Sequence, residues 1–288
     1  MLDLLANAVV SGILLGGFYA AVTIGVSISF GMLDVVNIAH PAFVMLGSFV
    51  AYWLGAAFGL DPILVGVAAS PGFFLLGIAI YRVYYGSFER RGEESLRGLA
   101  FFFGVLFITE VSLILLFGVD YRSVDAPYIG ITWQLGEIGL PLRLVVPFAV
   151  SVTMIVALQV MLSTTFFGRA IQAVSQDRVA LQLMAANPVR IKELGFALSI
   201  ATASVAGALL IMIGPVEPSL GRDYIGRVFA ICVLGGMGSV PGTLIGAIIL
   251  GVAESLTSTF YGPSWAPAVS FGFLLLALAV RPSGLLGR

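Results

Sequence analysis

Apolar residues run through this chain in long blocks broken by short polar turns, and each block is apolar on every side. The blocks fall at about Leu4–Phe30, Ala42–Phe58, Pro62–Val83, Leu99–Gly118, Leu144–Ser163 and Leu194–Ile213. A short run at Val228–Gly236 follows, then Gly242–Phe260 and Trp265–Val280. Most of them reach the roughly 18 residues that mark a membrane-crossing helix. No 3.6-residue stripe orients them, as expected for helices surrounded by lipid or by one another. The pattern predicts one all-α polytopic membrane domain over residues 1–288, with eight or nine transmembrane helices and some broken or re-entrant segments.

One stretch departs from this pattern. The island at about residues 166–192, from Phe166 to Lys192, is long, basic and helix-forming between two apolar blocks. Asp177 lies near the start of a short helical pattern, where a carboxylate suits the positive end of the helix dipole. Ala180, Leu183, Met184 and Asn187 recur at i, i+3, i+4 and i+7, and Asn187-Pro188 is expected to stop the helix. A short helix with one apolar face and basic flanks, Arg178 among them, can dock onto a soluble partner. Any helical loop would show the same pattern.

Composition sharpens the class. With 59% hydrophobic and 10% charged residues and a mean hydropathy of +1.08, a soluble domain is excluded. Met1-Leu2-Asp3 carries no basic segment, so the first apolar block reads as a span and not as a cleaved leader. The one cysteine, Cys232, rules out a disulfide or a cysteine-based metal site within the chain. Gly12-x-x-x-Gly16 and Gly242-x-x-x-Gly246 are small-residue patterns that let helices approach closely.

Basic residues set the expected orientation. Arg82, Arg90, Arg91 and Arg97 flank one loop, Arg169, Arg178, Arg190 and Lys192 fill the island, and Arg281 and Arg288 lie at the C-terminal end. The other four, Arg122, Arg143, Arg222 and Arg227, fall in the intervening loops. Positive charge is retained on the cytoplasmic side, so the first three groups are expected inside and the N-terminus outside. Parity then requires an odd number of crossings, so Val228–Gly236 must complete one and the count becomes nine.

Two polar turns ending in proline mark a faint repeat. Asn37-Ile38-Ala39-His40-Pro41 leads into one block and Gly238-Ser239-Val240-Pro241 into another, each with proline where the helix should begin. Interrupted hydrophobic segments at matching places in two halves point to a transport pathway, although two ordinary helix starts would look the same. Candidate pathway residues are therefore Asn37, His40, Pro41, Gly238 and Ser239. Thr23 and Ser29 on the first span join them, unless they only bond the preceding turn of their own helix. Asn37 can serve a substrate's polar end or the broken helix's own backbone. His40, the only histidine, can sense pH or bond a carboxylate, or fill a structural place. Glu110 and Glu254 lie mid-span, where an acid costs about 2.5–3.5 kcal/mol, so each should face the bundle interior or a cavity; a hydrogen bond between helices is the simpler reading of both, and Glu254 joins the candidate pathway residues.

Three stretches resemble one family. Val35-Val36-Asn37-Ile38-Ala39-His40 resembles the first signature of permeases in the branched-chain amino-acid importer family. Gly168-Arg169-Ala170 and Ala173 to Asp177, on to Met184 and Asn187, resemble its cytoplasmic signature. The run Val233 to Gly242, VLGGMGSVPG, is similar to its third, followed by Gly251-x-x-Glu254. One departure is Pro41, which stands where the family usually has glycine and makes a flexible turn stiff. The size resembles the shorter H-type subunit more than the longer M-type.

The resemblance implies an ATP-binding-cassette importer. It implies a second permease subunit, two cytoplasmic ATPases, an extracytoplasmic binding protein and a cell inner (plasma) membrane setting. It makes the island a coupling helix, with Asp177, Arg178, Ala180, Leu183, Met184 and Asn187 toward the ATPase. Branched-chain amino acids are the default substrate, and related systems carry amides, urea or small aromatic acids. The chain has no Gly-x-x-x-x-Gly-Lys-Ser/Thr loop of its own for ATP. No catalytic residue, metal, cofactor or nucleic-acid partner is expected. The competing classes are an ion-coupled transporter, for which two isolated acids are thin support, a passive channel, and an intramembrane protease built on Ser239 and His40.

Overall fold

The computed structural model describes residues 1–288 apart from 93–95, 175, 177, 184, 185, 282 and 288, with only the backbone of 178–180. The described helices run α1 Leu2–Ser29, α2 His40–Phe58, α3 Pro62–Ser87, α4 Leu96–Phe117 and α5 Leu142–Thr164. They continue with α6 Phe166–Ala173, α7 Arg178–Leu183, α8 Pro188–Ile213, α9 Gly221–Gly235, α10 Val240–Tyr261 and α11 Ala266–Val280. A two-stranded antiparallel hairpin, β1 Thr132–Leu135 and β2 Ile138–Pro141, sits between α4 and α5. Eight helical segments among the described residues are long and apolar enough to cross a membrane. The chain is an all-α polytopic membrane protein.

Helix α1 is the centre of the bundle and packs on α10, α8, α5 and α9. Both small-residue patterns read from sequence do this packing. A Cβ on Gly12 would come within 2.6 Å of the Cα of Val252, and one on Gly16 within 2.6 Å of the Cα of Ile248. The α1–α10 seam is therefore backbone against backbone. Gly242 and Gly246 serve the neighbouring seam, where they face Gly235 at the end of α9.

Helix α9 is the short crossing. Its 15 residues reach about 22 Å at about 1.5 Å per residue, less than the roughly 30 Å of a hydrocarbon core. The extended chain before it supplies the remainder. Val216 exchanges backbone hydrogen bonds of 2.8 and 2.9 Å with Arg122, in the loop between α4 and α5. At the other end Gly238 packs on Gly31, just beyond α1. The start and end of this segment thus lie at opposite ends of the bundle.

Two sequence expectations are corrected here. Arg222 and Arg227 read as loop residues, yet both lie in α9, which begins seven residues earlier than the apolar run that marked it. Asn187 read as the last position of the island's apolar helical face. Instead its side chain caps α8, accepting from the amides of Val189 (3.0 Å) and Arg190 (3.3 Å). Pro188 is the reason, since it starts a new helix at a position where its missing N–H costs nothing.

The two proline turns do begin helices, one residue earlier than expected. Pro41 and Pro241 each occupy the second helical position, behind His40 and Val240. Ser239 caps α10 by accepting from the Gly242 amide at 3.1 Å. No side chain caps α2 in this way; Asn37 Oδ1 instead accepts from the Ala39 amide at 3.1 Å and folds the turn from inside. Near the opposite end, Asn7 pins the hairpin to α1. Its amide donates to the Glu137 carbonyl and its Oδ1 accepts from Gly139 N, both at 2.9 Å.

Candidate functional site

The first candidate region is the turn between α1 and α2. Asn37 and His40 are fully buried, and His40 lies against α1 and α8. A Cβ on Gly25 would come within 2.6 Å of His40 Nε2 and 2.8 Å of the Ser199 carbonyl, so this glycine makes room for the ring. Both His40 ring nitrogens, Asn37 Nδ2 and Ser199 Oγ are buried without a hydrogen-bond partner among the described residues. Unsatisfied polar atoms of this kind are costly, so their clustering beside one turn marks a place where structure alone does not explain the residues.

Thr23 and Ser29 behave differently. Ser29 Oγ turns back on the Val26 carbonyl at 3.4 Å, the local bond that competed with a pathway role. Thr23 Oγ1 is buried without a partner among the described residues. One turn further along α1, Ser27 accepts a bond of 3.0 Å from Thr243 of α10.

The second region is the turn between α9 and α10. Gly238, at φ +78°, and Ser239 border a polar cavity of about 430 Å³ shared with Gly31, Gln159, Gln172 and Gln176. Gln172 lies in α6, so the cavity opens between the island and the bundle. Ser239 is engaged as the cap of α10 and, among the described residues, shares no hydrogen bond with His40, so the two form no catalytic dyad.

The island itself is two short helices, α6 and α7. Thr165 caps α6 by accepting from Gly168 N at 3.0 Å, and Gly168 packs on the backbone of Leu162. On α7, Leu181 is 5% exposed and holds the helix to the bundle, whereas Leu183 is 84% exposed. Asp177 and Met184 lie outside the described residues, and Arg178 and Ala180 are described by backbone alone.

The carboxylates that seemed isolated are paired. Glu254 accepts from Tyr19 Oη at 2.6 Å, from Arg227 Nε at 3.0 Å and from Ser270 Oγ. Glu110 accepts from Arg222 Nε at 2.7 Å and Nη2 at 2.5 Å. Sequence reasoning missed both partners because it assigned the arginines to loops. The available signal was charge balance: two acids inside apolar blocks need cations to pair with. A further pair, buried on both sides, Lys192 Nζ with Glu89 Oε1 at 2.7 Å, ties α8 to the end of α3 beside the island.

Eight apolar helices long enough to cross a membrane define a multi-pass membrane protein. The chain belongs to the family described as branched-chain amino acid transport system, permease component, which it matches over residues 8–278. It is 32% identical to the high-affinity branched-chain amino acid transport permease LivH of Salmonella typhimurium, over 96% of this chain and 94% of that one. It is 30% identical to BraD of Pseudomonas aeruginosa, over 97% and 94%. LivM of Salmonella typhimurium is 25% identical and is covered over only 67% of its length, in keeping with the shorter type of subunit. The solved structure of PsaBC from Streptococcus pneumoniae with a Fab aligns with a TM-score of 0.51 at 14% identity, over 97% of this chain and 92% of that one, a likeness of fold. These relatives are transport permeases and not enzymes.

Proposed function

We propose that this chain is the permease subunit of an ATP-driven importer that moves branched-chain or other small hydrophobic amino acids across the cell's inner membrane. The observation that carries this reading is the 32% identity to LivH along 96% of the chain. Substrate arrives from an extracytoplasmic binding protein, passes beside a second permease subunit, and moves at the expense of ATP hydrolysed by two cytoplasmic ATPases. The island transmits the ATPases' movement through α6 and α7, and the exposed Leu183 supports that role. The buried polar turn at Asn37, His40 and Pro41 and the turn at Gly238 and Ser239 are its movable parts, being the polar joints between α1 and α2 and between α9 and α10.

The test is uptake of labelled leucine into vesicles holding the assembled complex, with binding protein outside and ATP inside. Uptake should need ATP and the ATPase subunits and be blocked by vanadate. Leucine uptake that persists without ATPase and follows an ion gradient would instead mark an ion-coupled carrier.

A further inference from the structure

Arg222 has an unusual position for a charged residue. Its guanidinium is held on Glu110 by bonds of 2.7 and 2.5 Å and lies 4.9 Å from the ring centroid of Phe107. From Glu110 to the end of α4 at Phe117 is about 10 Å at about 1.5 Å per residue, so the guanidinium sits well inside the depth of the spans. Two hydrogen bonds and a ring contact keep it from reaching up to the surface. Even so, 50% of its side chain is exposed, and the next residue, Asp223, is exposed beside it. Arg222 Nη1 and the Asp223 carboxylate have no partner among the described residues.

Three environments can cover such a face. Lipid penalises a guanidinium held at this depth, and Asp223 puts a second charge on the same face. A dry contact with another subunit would strip water from both charges, a cost of several kcal/mol per ion. A water-filled path leaves both hydrated. We propose that the face of α4 and α9 carrying Arg222 and Asp223 lines the water-filled path, with Arg222 taking the carboxylate and Asp223 the ammonium of the passing amino acid. A guanidinium binds a carboxylate through paired N–H donors, and the adjacent acid completes a match to a zwitterion. The identity of the ions at this face rests on the amino-acid importer reading above; its hydration does not.

The experiment uses the assembled complex in vesicles, with Cys232→Ser as background because that thiol is buried. Asp223→Cys is exposed to a membrane-impermeant cationic thiosulfonate and compared with Ser123→Cys in an outer loop and Leu75→Cys on an apolar face of α3. Asp223→Cys should react within about tenfold of Ser123→Cys and at least a hundredfold faster than Leu75→Cys. A rate as slow as that of Leu75→Cys overturns the hydrated path. Arg222→Gln with Glu110→Gln removes the charge without stranding the acid, and should lower the maximal leucine uptake rate at least tenfold. Unchanged uptake overturns the carboxylate contact. If the unaltered complex takes up no leucine, the substrate reading fails while the labelling result still stands.

Discussion

Arg227 Nε lies 3.0 Å from Glu254 Oε1, joining α9 to α10 with both side chains largely buried. Tyr19 of α1 and Ser270 of α11 donate to the same carboxylate, so four helices converge on one acid. Replacing a whole buried ion pair by apolar residues is often near neutral, whereas removing one partner strands a charge and costs about 3–5 kcal/mol. Glu254→Ala should therefore lower the thermal midpoint of the purified complex sharply. Arg227→Met combined with Glu254→Leu should recover most of that loss. Thermal denaturation in detergent checks this; equal midpoints for the single and double variants would remove the pair from the stability account.

Gly25 and His40 make a second pair with a testable dependence. A methyl group on Gly25 has no space beside the His40 ring and the Ser199 carbonyl. Gly25→Ala should displace the ring and reduce transport, while His40→Ala alone should reduce transport with near-normal expression and assembly. If Gly25 matters only by seating His40, the double variant should transport as the His40→Ala variant does and not worse. A double variant that fails to assemble would show that Gly25 serves the Ser199 backbone instead.

How far the sequence carried this picture depends on what kind of signal each feature leaves. Spans were legible because a membrane helix is a length of apolar residues, and Gly12 and Gly16 were legible because only small residues permit the approach they make. The Asn37–Pro41 and Gly238–Pro241 turns were legible as proline-marked breaks. Arg227 was not, because its partner lies on another helix and pairing across helices leaves no local period. Asn187 misled for a related reason. It fits the i+7 position of the island's apolar face, but the proline after it makes it a cap, and a cap with two amides to satisfy outweighs one weak apolar position.

Orientation gives a third prediction. The end of the bundle holding the island also holds the buried Lys192–Glu89 pair and the exposed Arg82–Glu193 pair, so not all of its basic residues act as free charges. Arg90 and Arg190 still bias that end toward the cytoplasm. Asp3→Cys should react with an impermeant thiol reagent applied outside intact cells, and Arg190→Cys only after permeabilisation. Strong external reaction at Arg190→Cys would invert the scheme.

The island gives the last prediction. Leu183 is a large apolar side chain left 84% exposed, while Leu181, two residues earlier and on another side of α7, is packed into the bundle. A helix with one apolar residue packed into the bundle and another presented to its surroundings is arranged to carry a partner's surface. A central anchor of this kind typically costs more than about 2 kcal/mol when lost, more than tenfold in affinity. Leu183→Asp should therefore cause the ATPase subunits to dissociate during purification and abolish ATP-dependent uptake. Gln182→Asp adds the same charge one residue away, at a site already polar and exposed, and should leave both intact. Comparing the two separates loss of an apolar contact from a general effect of negative charge on the island. Copurification of ATPase with Leu183→Asp at the ratio seen for the unaltered chain would leave α7 as a loop helix without a coupling role.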